Sequence, residues 1–108
     1  MFSPAELDGK GLALHRLVVQ KIRRDPALFD RVQQTLNRRY EQWDLSSLPY
    51  LVAWQKLVDL GMDTALAAAI DQAERGQVLR KNSPFAGIFS EQERLDFLRS
   101  WPRGEGPG

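Results

Sequence analysis

The sequence predicts an all-α protein, a compact bundle of about five short helices, and three observations carry that prediction. Apolar residues recur at three-to-four spacing in several segments, the pattern of helices that bury one face. No segment of strand length alternates apolar and polar residues, and nothing repeats at a period of roughly 20 to 50 residues. Proline, glycine and capping residues fall at intervals that cut the chain into helix-length pieces. With 108 residues, 43% hydrophobic and 27% charged, the chain can build one core and is too apolar for disorder.

The first helix is predicted over 10–24, after an N-terminal extension of residues 1–9. It ends because Asp25 precedes Pro26, and a residue before proline is pushed out of the α region; Asp25 is the expected cap and Pro26 the expected first residue of the next helix. That second helix, 26–43, carries Phe29, Val32, Leu36, Tyr40 and Trp43 on one stripe. Ser46 or Ser47 is expected to cap the third helix, with Pro49 in its first turn and Leu60-Gly61 closing it; its apolar interior predicts the most buried helix. Asp63 opens a fourth helix rich in alanine, which Gly76 breaks or bends before a last turn through Val78 and Leu79. Residues 82–87, Asn-Ser-Pro-Phe-Ala-Gly, read as a loop. Ser90-Glu91-Gln92-Glu93 reads as a capping box that starts a fifth helix, ended by Pro102. The helical domain is thus expected over 10–101, and 102–108, with no apolar side chain, as a flexible tail. The expected core is Leu14, Val18, Ile22, Phe29, Val32, Leu36, Tyr40, Trp54, Leu57, Leu66, Ile70, Leu95 and Leu98.

Composition removes several classes of chemistry. The absence of cysteine excludes disulfides, thiolate metal sites and cysteine nucleophiles. The apolar stretch 60–70 is interrupted by Gly61 and Asp63 and is about half of the roughly 20 residues that span a bilayer, so no membrane helix is expected. The first residues lack a basic segment followed by an apolar run, which predicts a cytoplasmic protein. There is no Gly-x-x-x-x-Gly-Lys loop, no Gly-x-Ser-x-Gly elbow and no His-Glu-x-x-His or paired-carboxylate spacing, so no catalytic residue, metal ligand or cofactor is assigned. His15 is the only histidine. At about 100° per residue it falls between Val19 and Ile22 on the apolar arc of the first helix, which predicts a packed, hydrogen-bonded side chain in preference to a catalytic base.

Two surfaces remain as binding candidates. The net charge is +1, but residues 10–39 hold eight basic and two acidic residues, a net of +6, against −5 elsewhere. Arg16 and Arg23, and likewise Arg31 and Arg38, are seven apart, two turns along one helix edge. If the first two helices form an antiparallel hairpin, the four guanidiniums line one surface at intervals suited to phosphates or to an acidic partner. The competing reading is a solvated face. The second candidate is the loop with Pro84, Phe85, Ile88 and Phe89, which either folds back on the core or is held out for a partner.

The run 14–28, Leu-His-Arg-Leu-Val-Val-Gln-Lys-Ile-Arg-Arg-Asp-Pro-Ala-Leu, together with Leu79-Arg80, Ser83-Pro84-Phe85-Ala86-Gly87 and Glu93-Arg94, resembles a family of small all-helical bacterial proteins. Members of that family are similar to components of toxin–antitoxin-type or regulator-linked gene pairs. The resemblance spans residues 14–98. It implies a non-enzymatic protein-interaction module whose partner is another protein encoded nearby, and it transfers no catalytic residue. The alternative is a nucleic-acid-binding protein that uses the arginine edge.

Overall fold

The computed structural model describes residues 4–85 and 87–100, with side chains described from residue 9 onward apart from Ala86. Six α-helices and one 3-10 turn account for most of these residues, and among them there is no strand, so the all-α expectation holds. The first helix, α1 (Pro4–Arg24), starts six residues earlier than the pattern predicts. An interior glycine costs about 1 kcal/mol relative to alanine, which a helix packed on two others absorbs, so Gly9 and Gly11 do not stop it. Asp25 does leave the helix, at φ −141°, but its side chain makes no capping hydrogen bond. A 3-10 turn over Pro26–Phe29 follows in place of a first α-turn.

The second helix, α2 (Asp30–Glu41), ends before Trp43, which lies outside it and is 49% exposed. The chain leaves α2 because Asp44 starts the next helical turn. Its Oδ1 accepts the Ser47 N–H at 2.9 Å while its own N–H donates to Ser47 Oγ at 3.2 Å; Ser47, one of the two serines expected at the cap of α3 (Leu48–Leu60), stands at its N-cap, and this reciprocal pair with Asp44 takes the place of a side-chain bond into the helix. Gly61, at φ +129° and ψ 163°, then turns the chain sharply into α4 (Met62–Ala69), a conformation that only glycine adopts at low cost.

The expected fourth helix is in fact two. The chain leaves α4 at Ile70 and re-enters helix at α5 (Glu74–Arg80). Gly76 is not the break; it lies within α5, and a Cβ there would sit 2.0 Å from the Asp71 carbonyl oxygen, so the two segments approach because that residue has no side chain. Arg80 fastens the corner. Its guanidinium, buried with the rest of the side chain, donates to the Ala69 carbonyl at 3.1 Å and the Asp71 carbonyl at 2.7 Å, closing the C-terminal end of α4. The last helix, α6 (Glu91–Ser100), begins at the expected capping box: Glu93 N–H donates to Ser90 Oγ at 3.1 Å and Ser90 N–H to Glu93 Oε1 at 2.8 Å. The expected C-terminal tail lies outside the described residues.

Helix α1 packs across α4 and α5, α2 lies on α3, and α3 also packs on α4, while α1 and α2 are joined mainly through the 3-10 turn. The predicted α1–α2 hairpin is therefore not built. Trp54 of α3 is fully buried at the centre, its Nε1 donating to the Leu79 carbonyl at 3.0 Å, with Val18, Ile22, Val32, Leu36 and Leu66 in the same core. Six expected core residues, Leu14, Phe29, Tyr40, Leu57, Ile70 and Leu98, are only half-buried. Leu95 is 42% exposed because α6 presents the face of Phe97 to the core, a register fixed by Glu93 on the same face. Among the described residues no helix is long and apolar enough to cross a membrane.

Candidate functional site

His15 is buried, as its helical angle predicts. Its Nδ1–H donates to the Gly11 carbonyl at 2.7 Å, one turn earlier in α1. That bond fixes the tautomer in which Nε2 accepts from Ser83 Oγ–H, also at 2.7 Å. Ser83 Oγ in turn accepts the Phe85 N–H at 3.1 Å, and the Phe85 ring stands edge-on to His15 at 6.0 Å and to Trp54 at 5.4 Å. The Ser83–His15 distance suits a nucleophile and its base, but here the hydroxyl is fixed inside a turn by Phe85 and the imidazole Nδ1 is oriented by the Gly11 carbonyl. The arrangement holds the loop onto the core.

The loop candidate is decided by the same contacts. Pro84 and Phe85 are buried and Ile88 is 1% exposed, so these side chains fold back onto the core. Phe89 is half-buried with Lys21 Nζ 5.5 Å from its ring centre. Lys21 also donates to the Ile88 carbonyl at 2.9 Å and pairs with Glu93, so α1, the loop and α6 share one ammonium. That ammonium, followed by the Ser90 N–H, pulls the Glu93 carboxyl down to about 2.

Above the His15–Ser83 pair is a cavity of about 260 Å³. Leu14, Val18, Phe85 and Phe89 give it apolar walls. Arg39 from the end of α2, Arg80 and Lys81 from the end of α5, and Arg94 from α6 give it four cations, and no carboxylate lines it among the described residues. The cations differ in how far the fold already uses them. Arg80 is held by the carbonyls of the α4–α5 corner. Arg39 is half-buried and donates through Nη1 to the Asn82 carbonyl at 3.2 Å; burial, and then the adjacent Arg38, lower its pKa, so its charge is poorly compensated where it stands. The side chains of Lys81 and Arg94 are exposed and make no ion pair among the described residues.

The four arginines singled out in the sequence are not brought together by a hairpin. Arg16 and Arg31 are exposed, Arg23 is exposed with its Nη1 3.5 Å from Asp63 Oδ1, and Arg38 is exposed, donating to Thr35 Oγ1 at 3.2 Å. Of these only Arg38 lies beside Arg39, in a shallow depression that Glu41 and Gly87 also line. What the sequence reading missed is the pair of dibasic steps, Arg38-Arg39 and Arg80-Lys81. Each sits at a helix C-terminus, where a cation offsets the negative end of the dipole, and that local explanation hides the fact that the two ends converge.

No group of histidine, cysteine, aspartate or glutamate among the described residues is placed to hold a metal ion. The fold and the site together define the class: an all-α bundle whose described residues enclose a cationic, partly apolar cavity. No known family, characterised protein or solved structure matches the chain, so the site is read from its own geometry.

Proposed function

We propose that this protein is a non-enzymatic interaction module that grips an anionic group of a partner protein on the side of the bundle where α2, α5 and α6 converge. One observation carries the reading: Arg39, Arg80, Lys81 and Arg94 surround a single cavity with no carboxylate in its described lining. Like charges gathered without compensation lower stability, and a set retained at the mouth of a concave site is best explained by what it attracts. The resemblance to members of bacterial gene pairs supports a partner encoded nearby and a place in a toxin–antitoxin-like or regulatory cassette. Binding is favoured over catalysis because the Ser83–His15 contact is engaged in holding the loop.

The test is affinity purification of the full chain from its host with nucleic acid retained, beside the Lys81→Glu, Arg94→Glu double variant. Both positions are exposed, so the fold tolerates the change. A stoichiometric protein that co-purifies with the native chain and is lost from the variant supports the reading; a protein retained equally by both overturns it. The nucleic-acid alternative keeps one observation in its favour, the exposure of Arg16, Arg31 and Arg38. It requires affinity that falls with salt at a logarithmic slope of roughly −0.9 per phosphate neutralised and that is lost in the Arg16→Glu, Arg38→Glu variant. We expect no such binding near physiological salt, where exposed charges are screened beyond about 8 Å.

A further inference from the structure

The geometry points to a second, narrower property of this cavity: it is a site for a small organic phosphate monoester whose phosphoryl group lies among Arg39, Lys81 and Arg94 and whose apolar part lies against Phe85 and Phe89. The inference rests on reading the cavity as the working anion site, and it does not depend on the partner being a protein. Three features select the ligand. The volume, about 260 Å³, is just below the range of roughly 300–1,000 Å³ typical of drug-sized ligands, so the occupant is small. The walls are divided, with Leu14, Val18 and the two phenylalanines on the apolar side and the cations on the other, so the occupant carries both an apolar body and a charged head.

The charge of the head follows from the cations left over after the fold's own needs. Arg80 is buried and held by the Ala69 and Asp71 carbonyls, whereas Arg39 is half-buried and gives only Nη1 to the Asn82 carbonyl, so Arg39, Lys81 and Arg94 are the cations in position to meet a ligand. Three cationic donors match the three oxygens and the charge of about −1.5 to −2 that a phosphate monoester carries at neutral pH; a carboxylate supplies two oxygens and one charge. Arg39 gains most, since its guanidinium is half-buried beside Arg38 and makes no ion pair among the described residues, and an anion there relieves both the burial and the repulsion. Ser83 and His15 below the cavity are committed to each other, to Gly11 and to Phe85, so they form a fixed floor.

The test is calorimetric titration of the full chain with three probes: phenyl phosphate, inorganic phosphate and benzoate. Phenyl phosphate is expected to bind about tenfold or more tightly than benzoate, which lacks the second charge, and more tightly than inorganic phosphate, which lacks the ring. Arg39→Gln and Arg94→Gln should each weaken phenyl phosphate about tenfold or more, while Arg31→Gln, exposed on α2 and outside the cavity, leaves it unchanged. Thermal melts of the free variants show whether each is folded, and the exposed Arg94 provides the test if Arg39→Gln is not. Phenyl phosphate binding no tighter than benzoate, or equal loss in Arg31→Gln, overturns the inference. If none of the probes binds while the partner protein is still captured and is lost in Lys81→Glu, Arg94→Glu, the phosphate inference falls and the proposed function stands; if capture is also unaffected by that variant, both fall.

Discussion

Two connections in this molecule are built from similar residues and end in opposite places. The α2–α3 connection holds Trp43 and Leu45 beside Asp44, Ser46 and Ser47; the α5–α6 connection holds Phe85, Ile88 and Phe89 beside Ser83 and Ser90. Both finish in a reciprocal cap, on Asp44 and Ser47 in the first and on Ser90 and Glu93 in the second. Yet Leu45 is 82% exposed and Phe85 is 1% exposed. Among the described residues, polar contacts of the first connection stay within itself: the Ser46 hydroxyl, then the Ser47 N–H, hold the Asp44 carboxyl below its usual range. The second is fastened from outside, by His15 through Ser83 and by Lys21 through the Ile88 carbonyl and Glu93. An aromatic in a loop is thus carried inward when long-range polar partners fix the backbone around it.

The comparison is broken most directly at Phe85. Phe85→Ala removes a ring packed against Trp54 and His15 and should destabilise by about 3–5 kcal/mol in denaturant titration, enough to unfold a marginal domain. A loss under about 1 kcal/mol would show that the second loop is held by its polar ties alone. Next is Ser83→Ala, which leaves the buried His15 Nε2 and the Phe85 N–H without this hydroxyl and should cost about 1–3 kcal/mol. The corresponding hydroxyl deletion in the first loop, Ser46→Ala, touches only exposed groups and should stay within about 0.5 kcal/mol.

Smaller still is the acid response of the second loop's outer tie. Glu93 is held at about 2, against an ordinary value of 4.5, chiefly by Lys21. A carboxyl depressed in the folded state contributes stability that is fully present above its unfolded value and is lost as pH falls through the folded one, so stability should decline between about 4.5 and about 2. Lys21→Met should flatten that decline, read from thermal melts across the window, whereas Lys56→Met on α3 should not. An unchanged slope in Lys21→Met would remove Lys21 from its place as the shared tie of α1, loop and α6.

These contrasts also explain what was legible in the sequence. The helices, the Ser90 cap and the burial of His15 follow from patterns within one or two turns, and sequence displays such patterns directly. The division of the fourth helix was hidden because its cause is a contact, Gly76 against the Asp71 carbonyl, and its fastening, Arg80, reads as an ordinary basic residue in a last turn. The cationic cavity was hidden for the same reason: Arg39, Arg80, Lys81 and Arg94 come from three elements, and only tertiary packing brings them together. The arginine edge is the opposite case: its spacing on each helix is local and legible, but the hairpin that would have joined the two edges is not formed.

The smallest expected effect is at Leu45, and it sharpens the comparison most. At 82% exposure the side chain has little burial to lose, so Leu45→Ser should change stability by no more than about 0.5 kcal/mol, and the same holds in direction for Trp43→Ser at 49% exposure. A loss above about 1 kcal/mol that grows with protein concentration would mean that a second copy covers this loop in solution, because only a contact outside the chain makes an exposed leucine matter. An exposed leucine and a half-exposed tryptophan two residues apart are costly to solubility, so a fold that leaves them outward keeps them available for association. If Leu45→Ser leaves both stability and partner capture intact while Arg94→Glu abolishes capture, the outward loop is excluded from the interface and the cationic side alone carries it. If capture falls in both, the interface runs from the α6 cations to the α2–α3 connection, and the two loops divide the work between them: one holds the bundle together and the other meets the partner.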